Sequence, residues 1–208
     1  MDNKIYVSYN QVHEICKGAG EEIKRKKARP DCILAIGGGG FIPARILRTF
    51  LKGSQGDGKN IPIQAIGLSL YEDLGTSGPE EAPGTEVVRT QWLDFTTPQA
   101  SSLVGKRILI VDEIDDTRTT LHYAVRELQK DIAEYSKKIG KAHEKTEFSI
   151  FVLVNKDKEK REQLPPDLMS RYMAGRTVGD KWCVFAWEAD DIEDHTLKAQ
   201  ERAKEWFA

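Results

Sequence analysis

Asp112, Glu113, Asp115 and Asp116 place four carboxylates within five positions, directly behind the apolar run Arg107–Val111. Like charges this close repel one another. Because the acids leave an apolar run rather than sit in a solvated stretch, a ligand is a better reason for them than a surface loop. Carboxylates at the end of a strand accept hydrogen bonds from ribose hydroxyls well. Thr117, Arg118, Thr119 and Thr120 follow and lead into a helical pattern. A small hydroxylated turn at a helix N-terminus suits a phosphate. Together these residues predict a sugar-phosphate site at the carboxyl end of a strand, where open α/β sheets bind ligands. A second phosphate signal is Gly37 to Gly40, since glycines let backbone amides approach phosphate oxygens closely. By itself a glycine run is a weak signal, because many strand–helix turns contain one.

The elements that must position these groups can be read from periodicity. Behind Ser8, a fair N-cap, Val12, Ile15, Cys16, Ala19 and Ile23 recur at helical spacing, predicting a helix over 9–27. Its basic end, Lys24 to Lys27, reads as a solvated last turn whose cations suit the helix dipole. Asp31–Ile36 is a short buried strand before the glycines, and a helix with Pro43 in its first turn follows. Ile61–Leu70 and Val87–Phe95 read as two strands of a ribbon holding out a long Gly-, Pro- and acid-rich loop over 72–86. Arg107–Val111 is the central strand, 118–138 a long helix, and Phe148–Val154 a further buried strand. Lys156–Glu162 reads as a charge run in a solvated loop, Trp182–Trp187 as an aromatic-rich strand, and His195–Phe207 as a terminal helix. Strands alternating with helices predict one α/β domain over 1–208 with a mostly parallel sheet and helices on both faces.

Composition narrows the function classes. The formal net charge of −2 argues against a dedicated nucleic-acid binder, which is normally markedly basic. No apolar run approaches a membrane span, and Met1 to Lys4 begins no apolar leader. Cys16, Cys32 and Cys183 are odd in number with no C-x-x-C spacing, so reduced thiols and a cytoplasmic setting are expected. His13, His122, His143 and His195 have no ligand spacing, and surface or capping roles are expected for them.

Residues 108–121 resemble the phosphoribosyl-diphosphate (PRPP) motif of the type I phosphoribosyltransferases: an apolar strand, two acids, two spacers, then Asp-Thr-x-x-Thr. Leu34 to Arg45 upstream and Asp180 to Glu188 downstream resemble two further elements of that family in the same order. The resemblance is nearest to the purine-salvage, hypoxanthine-guanine branch in its fungal spelling. It implies the type I fold with a small hood over about 155–190, PRPP and a 6-oxopurine as substrates, Mg²⁺ as cofactor, and a homodimer. The reaction it implies joins N9 of hypoxanthine or guanine to the phosphoribosyl group, giving a nucleoside 5′-monophosphate and diphosphate.

Residue by residue, the resemblance implies that Asp112 and Glu113 hold the ribose hydroxyls, Glu113 with Mg²⁺ through water. Thr117, Arg118, Thr119 and Thr120 form the 5′-phosphate loop. Gly37, Gly38 and Gly39 form the diphosphate loop, with a cis peptide at Gly37–Gly38. Asp116 is the general base facing N7, although an Asp there also caps the following helix. Lys156, or Asn155 by a one-residue shift, donates to the purine O6. Trp182 stacks on the base, Cys183 offers its backbone carbonyl to the ring edge, and Glu188 lies near the 2-substituent or a Mg²⁺ water shell. Arg89, beyond the loop, reaches the diphosphate. Arg118 stands where relatives often have glycine, and its side chain either adds charge to the phosphate site or points to solvent. Asp115 stands where an aliphatic residue is usual and has no assigned role. The glycine loop lacks the Lys or Arg found in some relatives. Rival readings are a xanthine-preferring enzyme and a PRPP-sensing regulator of the same fold.

Overall fold

The computed structural model describes residues 3–52, 59–71 and 86–203. The loop at 72–86 lies, but for Glu86, outside these residues. In chain order the elements are β1 (Lys4–Val7), α1 (Tyr9–Arg25), β2 (Cys32–Gly37), α2 (Phe41–Leu51), β3 (Ile63–Tyr71), β4 (Glu86–Gln91), β5 (Arg107–Asp115), α3 (Thr119–Lys138), β6 (Glu147–Lys156), α4 (Pro166–Met169), β7 (Tyr172–Val178), β8 (Trp182–Phe185) and α5 (Ile192–Glu201).

Six strands form one sheet in the order β4-β3-β2-β5-β6-β7, parallel except for the antiparallel β3–β4 pair. β5 sits near the middle and is buried on both faces, which explains its unbroken apolar spelling. Leu109 and Val111 pack with Val12, Ile15, Leu47 and Leu51 of α1 and α2. Ile108 and Ile110 pack with Leu121, Val125, Leu128 and Ile132 of α3. Helices thus cover opposite faces, and the carboxyl ends of the central strands stay open between them.

Local chemistry accounts for the boundaries. The Ser8 hydroxyl accepts from the Gln11 amide, and the Gln11 side chain accepts from the Ser8 amide at 2.8 Å, so both ends of a capping box start α1. α1 stops at Arg25, before Lys27 adopts a left-handed φ of 53°. β5 runs through Asp115, past the expected end at Val111, because β6 pairs alongside it as far as Asp115 opposite Asn155. Asp112, Glu113 and Asp115 therefore belong to the strand itself. The strand expected over Val87–Phe95 ends at Gln91, and Trp92, Leu93 and Phe95 turn in to pack against the α3 core.

The sequence reading missed β1 and β7. β1 pairs in parallel with β8, Lys4 opposite Trp182 and Val7 opposite Phe185, so the two ends of the chain build a small sheet of their own. β8 stops at Phe185 and Ala186–Glu188 is a 3-10 turn, where a strand to Trp187 was expected. The Trp187 ring stacks on Phe185 at 4.7 Å and serves the core. His195 is another departure: it is buried, with Nε2 3.0 Å from the Val184 carbonyl oxygen.

Gly40 closes the turn between β2 and α2. A Cβ there would lie 2.5 Å from the carbonyl oxygens of both Ile36 and Val111, backbone of two central strands that has little freedom to yield. Gly40→Ala is expected to destabilise the fold by about 2–3 kcal/mol, the scale of an overpacked core. Urea denaturation checks this, and an unchanged midpoint would contradict it.

Candidate active site

A cleft of about 410 Å³ opens at the carboxyl ends of the central strands, lined by Gly37, Ser69, Asp112, Glu113, Asp116, Thr117–Thr120 and Arg161, among others. A larger hollow of about 720 Å³ runs between α1 and the edge strand β7. Only the smaller cleft joins the acidic strand end, the hydroxylated turn and the glycine loop, so the chemistry is assigned there.

At the strand end, Asp112 is buried and its Oδ1 accepts from the Glu113 amide at 2.9 Å. Burial first, and then the neighbouring Glu113 charge, push its carboxyl well above the usual carboxylate range. Glu113 reaches across to the glycine loop. A Cβ on Gly39 would lie 2.1 Å from the Glu113 carboxyl carbon, so a larger residue there would make the carboxylate swing away. The Gly37–Gly38 peptide is cis. The first acids and the glycine loop therefore face one another across a single space.

Asp116 lies just past β5. Its Oδ2 accepts from Lys156 Nζ at 2.9 Å, and Lys158 Nζ lies 3.1 Å from Oδ1. Burial alone would raise the Asp116 carboxyl, but the two lysines outweigh it and hold the group below the usual range. Asp180 shares both lysines, at 3.7 Å from Lys156 and 3.0 Å from Lys158. Asn155 points elsewhere, its amide donating to Thr177 at 3.4 Å. Strand alternation thus sends Lys156, and not Asn155, to the carboxylate.

The turn after Asp116 runs through Thr117, whose hydroxyl is 3.0 Å from that of Thr119, and through Arg118 at a left-handed φ of 70°. Arg118 is 8% exposed, so its side chain neither reaches solvent nor stays available to a phosphate. Its Nε and Nη2 donate to Asp115 Oδ2 at 3.0 and 2.8 Å. Tyr172 donates its hydroxyl to the same oxygen at 2.8 Å, and the Arg118 guanidinium lies 5.3 Å from the Tyr172 ring centroid. Asp115, left without a role by sequence, is the fully enclosed counter-charge that holds the arginine in its left-handed position.

The Lys156–Glu162 run is not a solvated loop. Lys156, Lys158 and Lys160, spaced by two, all turn toward the site. Lys160 Nζ donates to the carbonyl oxygens of Asp115, Asp116 and Lys156 at 2.7, 2.7 and 2.8 Å, and burial lowers its pKa. The Arg161 amide donates to the Thr117 carbonyl at 3.0 Å. Sequence reasoning missed Lys158, Lys160, Arg161, Tyr172 and Asp180. The alternating lysines were the available signal, because a spacing of two marks one side of an extended segment.

The small β1–β8 sheet carries Trp182 and Cys183, and Cys183 lies near Lys156 and Asp116. Trp182 is 64% exposed. Its amide donates to Asn3, and alternation along a parallel pair turns the peptide groups of Cys183 away from β1. The buried Cys183 thiol is pushed up to about 11, chiefly by burial, with Lys156 and Asp116 close enough to act on it. Glu188 is exposed, and one of its oxygens accepts from the Phe185 amide at 3.1 Å, closing the 3-10 turn. Arg89 is not brought to the cleft. It pairs with Glu127 and Asp131 on α3 and lies 4.2 Å over the Trp92 ring, so its charge is already matched.

A central parallel sheet, paired acids at a strand end, a small hydroxylated loop before a helix and a facing glycine turn define a protein that handles a phosphorylated sugar. The chain belongs to the phosphoribosyl transferase family: the sequence model of the phosphoribosyl transferase domain matches residues 8–184. It is 58% identical over 193 residues to the hypoxanthine-guanine phosphoribosyltransferase of Schizosaccharomyces pombe, covering 92% of each chain. It is 56% identical over 203 residues to xanthine phosphoribosyltransferase 1 of Saccharomyces cerevisiae, covering 96% of each. A solved structure of a hypothetical protein from Neisseria gonorrhoeae with bound ppGpp is 34% identical, with a TM-score of 0.73 and coverage of 97% of this chain and 98% of that one.

Proposed function

We propose that the protein is a purine-salvage enzyme that transfers the phosphoribosyl group of PRPP to N9 of hypoxanthine or guanine. The observation that carries this reading is the Lys156–Asp116 pair at 2.9 Å beside the hood bearing the exposed Trp182. One group donates and the other accepts, as the O6 and N7 edge of a 6-oxopurine requires. In the reaction N9 attacks C1′ of the ribose. The bond from C1′ to the diphosphate oxygen breaks, its electron pair leaving with the diphosphate. Asp116 takes the proton from N7. Asp112 and Glu113 hold the ribose hydroxyls, and the Thr117–Thr120 loop holds the 5′-phosphate through amides and hydroxyls.

Among the described residues no group of three or more His, Cys, Asp or Glu side chains is arranged to hold a metal. Asp112 and Glu113 nevertheless fit a Mg²⁺ ion, because a cation would offset the burial and the Glu113 charge that together raise Asp112. Bound Mg²⁺ would neutralise the leaving diphosphate. Glu188 is free at one oxygen to meet the base's 2-substituent or the ion's water shell. No helix among the described residues is long and apolar enough to cross a membrane. A homodimer in the cytoplasm, without nucleic-acid or membrane partners, completes the proposal.

Xanthine preference is a second reading, favoured by the 56% identity to the S. cerevisiae xanthine enzyme. Guanine and xanthine differ in a donor against an acceptor at C2, which the peptide edge of Cys183 would meet. Competition among hypoxanthine, guanine, xanthine and adenine, scored by the monophosphate formed, tests both. IMP and GMP are expected to dominate. XMP in excess would install the second reading, and bound PRPP with no diphosphate released would leave a sensor. Trp182→Ala is expected to raise the KM for the base about 10- to 100-fold, the scale of lost base stacking, without changing the melting temperature. An unchanged KM would remove Trp182 from the base site.

A further inference from the structure

We propose that Arg161 supplies the side-chain cation for the 5′-phosphate of the phosphoribosyl substrate, while Arg118, the arginine inside the loop, only locks that loop. The proposal rests on the phosphoribosyl-transfer reading above.

A phosphate dianion bound here would sit close to Asp112, Glu113 and Asp116, and amides with hydroxyls alone leave that repulsion unanswered. The loop's own arginine is already committed. Two of its nitrogens donate to Asp115, its face lies on Tyr172, and it is 8% exposed. Drawing it to a phosphate would strand the buried Asp115 carboxylate. Arg161 is placed differently. It lines the same cleft, its side chain is exposed, and among the described residues no carboxylate pairs with its guanidinium. Its position is fixed from both sides. Its own amide donates to Thr117, and the preceding Lys160 is stapled to three carbonyl oxygens at the loop's base. A planar guanidinium on a residue that lines the cleft with Thr117, Thr119 and Thr120 is suited to two parallel hydrogen bonds to a phosphate.

The test compares GMP with guanosine, which differ only in the 5′-phosphate, by calorimetric titration of wild type, Arg161→Ala, Arg161→Gln and Arg161→Lys. Arg161→Ala and Arg161→Gln are expected to weaken GMP and to raise the KM for PRPP about 10- to 100-fold, the scale of one charge-assisted hydrogen bond. Guanosine affinity stays within twofold, and Arg161→Lys recovers part of the loss. Equal weakening of GMP and guanosine, or GMP affinity unchanged in Arg161→Ala and Arg161→Gln, overturns the proposal. A wild-type protein that binds GMP but releases no diphosphate from PRPP with any 6-oxopurine overturns the activity reading instead. The GMP–guanosine difference would still report on Arg161.

Discussion

Replacing Asp116 by alanine is expected to lower kcat about 10²- to 10⁴-fold, the usual contribution of a positioned general base, while the KM for PRPP changes little. The split follows from geometry. Asp112, Glu113 and the Thr117–Thr120 loop line the cleft proposed for the sugar, whereas Asp116 stands just past β5 against Lys156 and Lys158. Removing it leaves Lys156 Nζ with Asp180 at 3.7 Å as its remaining carboxylate neighbour, so a moderate fall in stability accompanies the loss of rate. Asp116→Asn keeps the shape and removes the proton acceptor, and should reproduce the kcat loss with less effect on stability. Steady-state kinetics with PRPP and guanine varied separately decide the matter. Equal losses in kcat and PRPP affinity would return Asp116 to a structural role.

Lys156→Ala is the second large effect. In the free protein this ammonium is buried and spends a hydrogen bond on Asp116. On the proposed reading, an arriving 6-oxopurine would offer O6 in exchange, so the lysine that meets the base would also free the carboxylate that takes its proton. Losing a charged donor costs kcat/KM for guanine about 10- to 100-fold. It also erodes rejection of adenine, whose 6-amino group cannot accept from lysine. The pH profile moves as well. In the proposed role Asp116 works as the carboxylate, so enzyme activity is expected to fall as pH drops through its pKa. Lys156 and Lys158 together hold that pKa below the usual range, burial notwithstanding. With Lys156 gone, the acid limb of the kcat/KM profile is expected to move to higher pH. A limb that stays in place would separate Lys156 from Asp116.

Much of this site is legible in the sequence because it sits on a doubly buried strand. Arg107–Val111 announces itself by unbroken apolarity, and four acids so close behind it would repel one another without a ligand to hold. What escaped reading depends on partners far away in sequence. Asp115 looks superfluous until Arg118 and Tyr172 are seen around it, the latter 57 positions on. Arg118 offered two expected fates, phosphate or solvent, and the structure supplies a third, because a left-handed backbone turns its side chain back under the loop. β1 and β7 were missed for a similar reason. Lys4–Val7 is only four residues long and is made a strand by Trp182–Phe185, which arrives from the other end of the chain. β7 carries Gly175 and Arg176 in its middle, which weakens its pattern, yet β6 pairs along its length. Arg89 shows the converse case. An arginine in a plausible place was given to a ligand, and two carboxylates of α3 hold it already.

The sugar phosphate is expected to lie against the end of β5 and the turn that follows. The most direct measurement is a titration of the isotopically labelled protein with PRPP and Mg²⁺, following backbone amide resonances. Saturable shifts are expected at Gly37–Gly39, Glu113 and Thr117–Thr120, with the α1–β7 hollow silent. Shifts confined to that hollow, around Glu14 and Arg176, with the turn unperturbed, would contradict it.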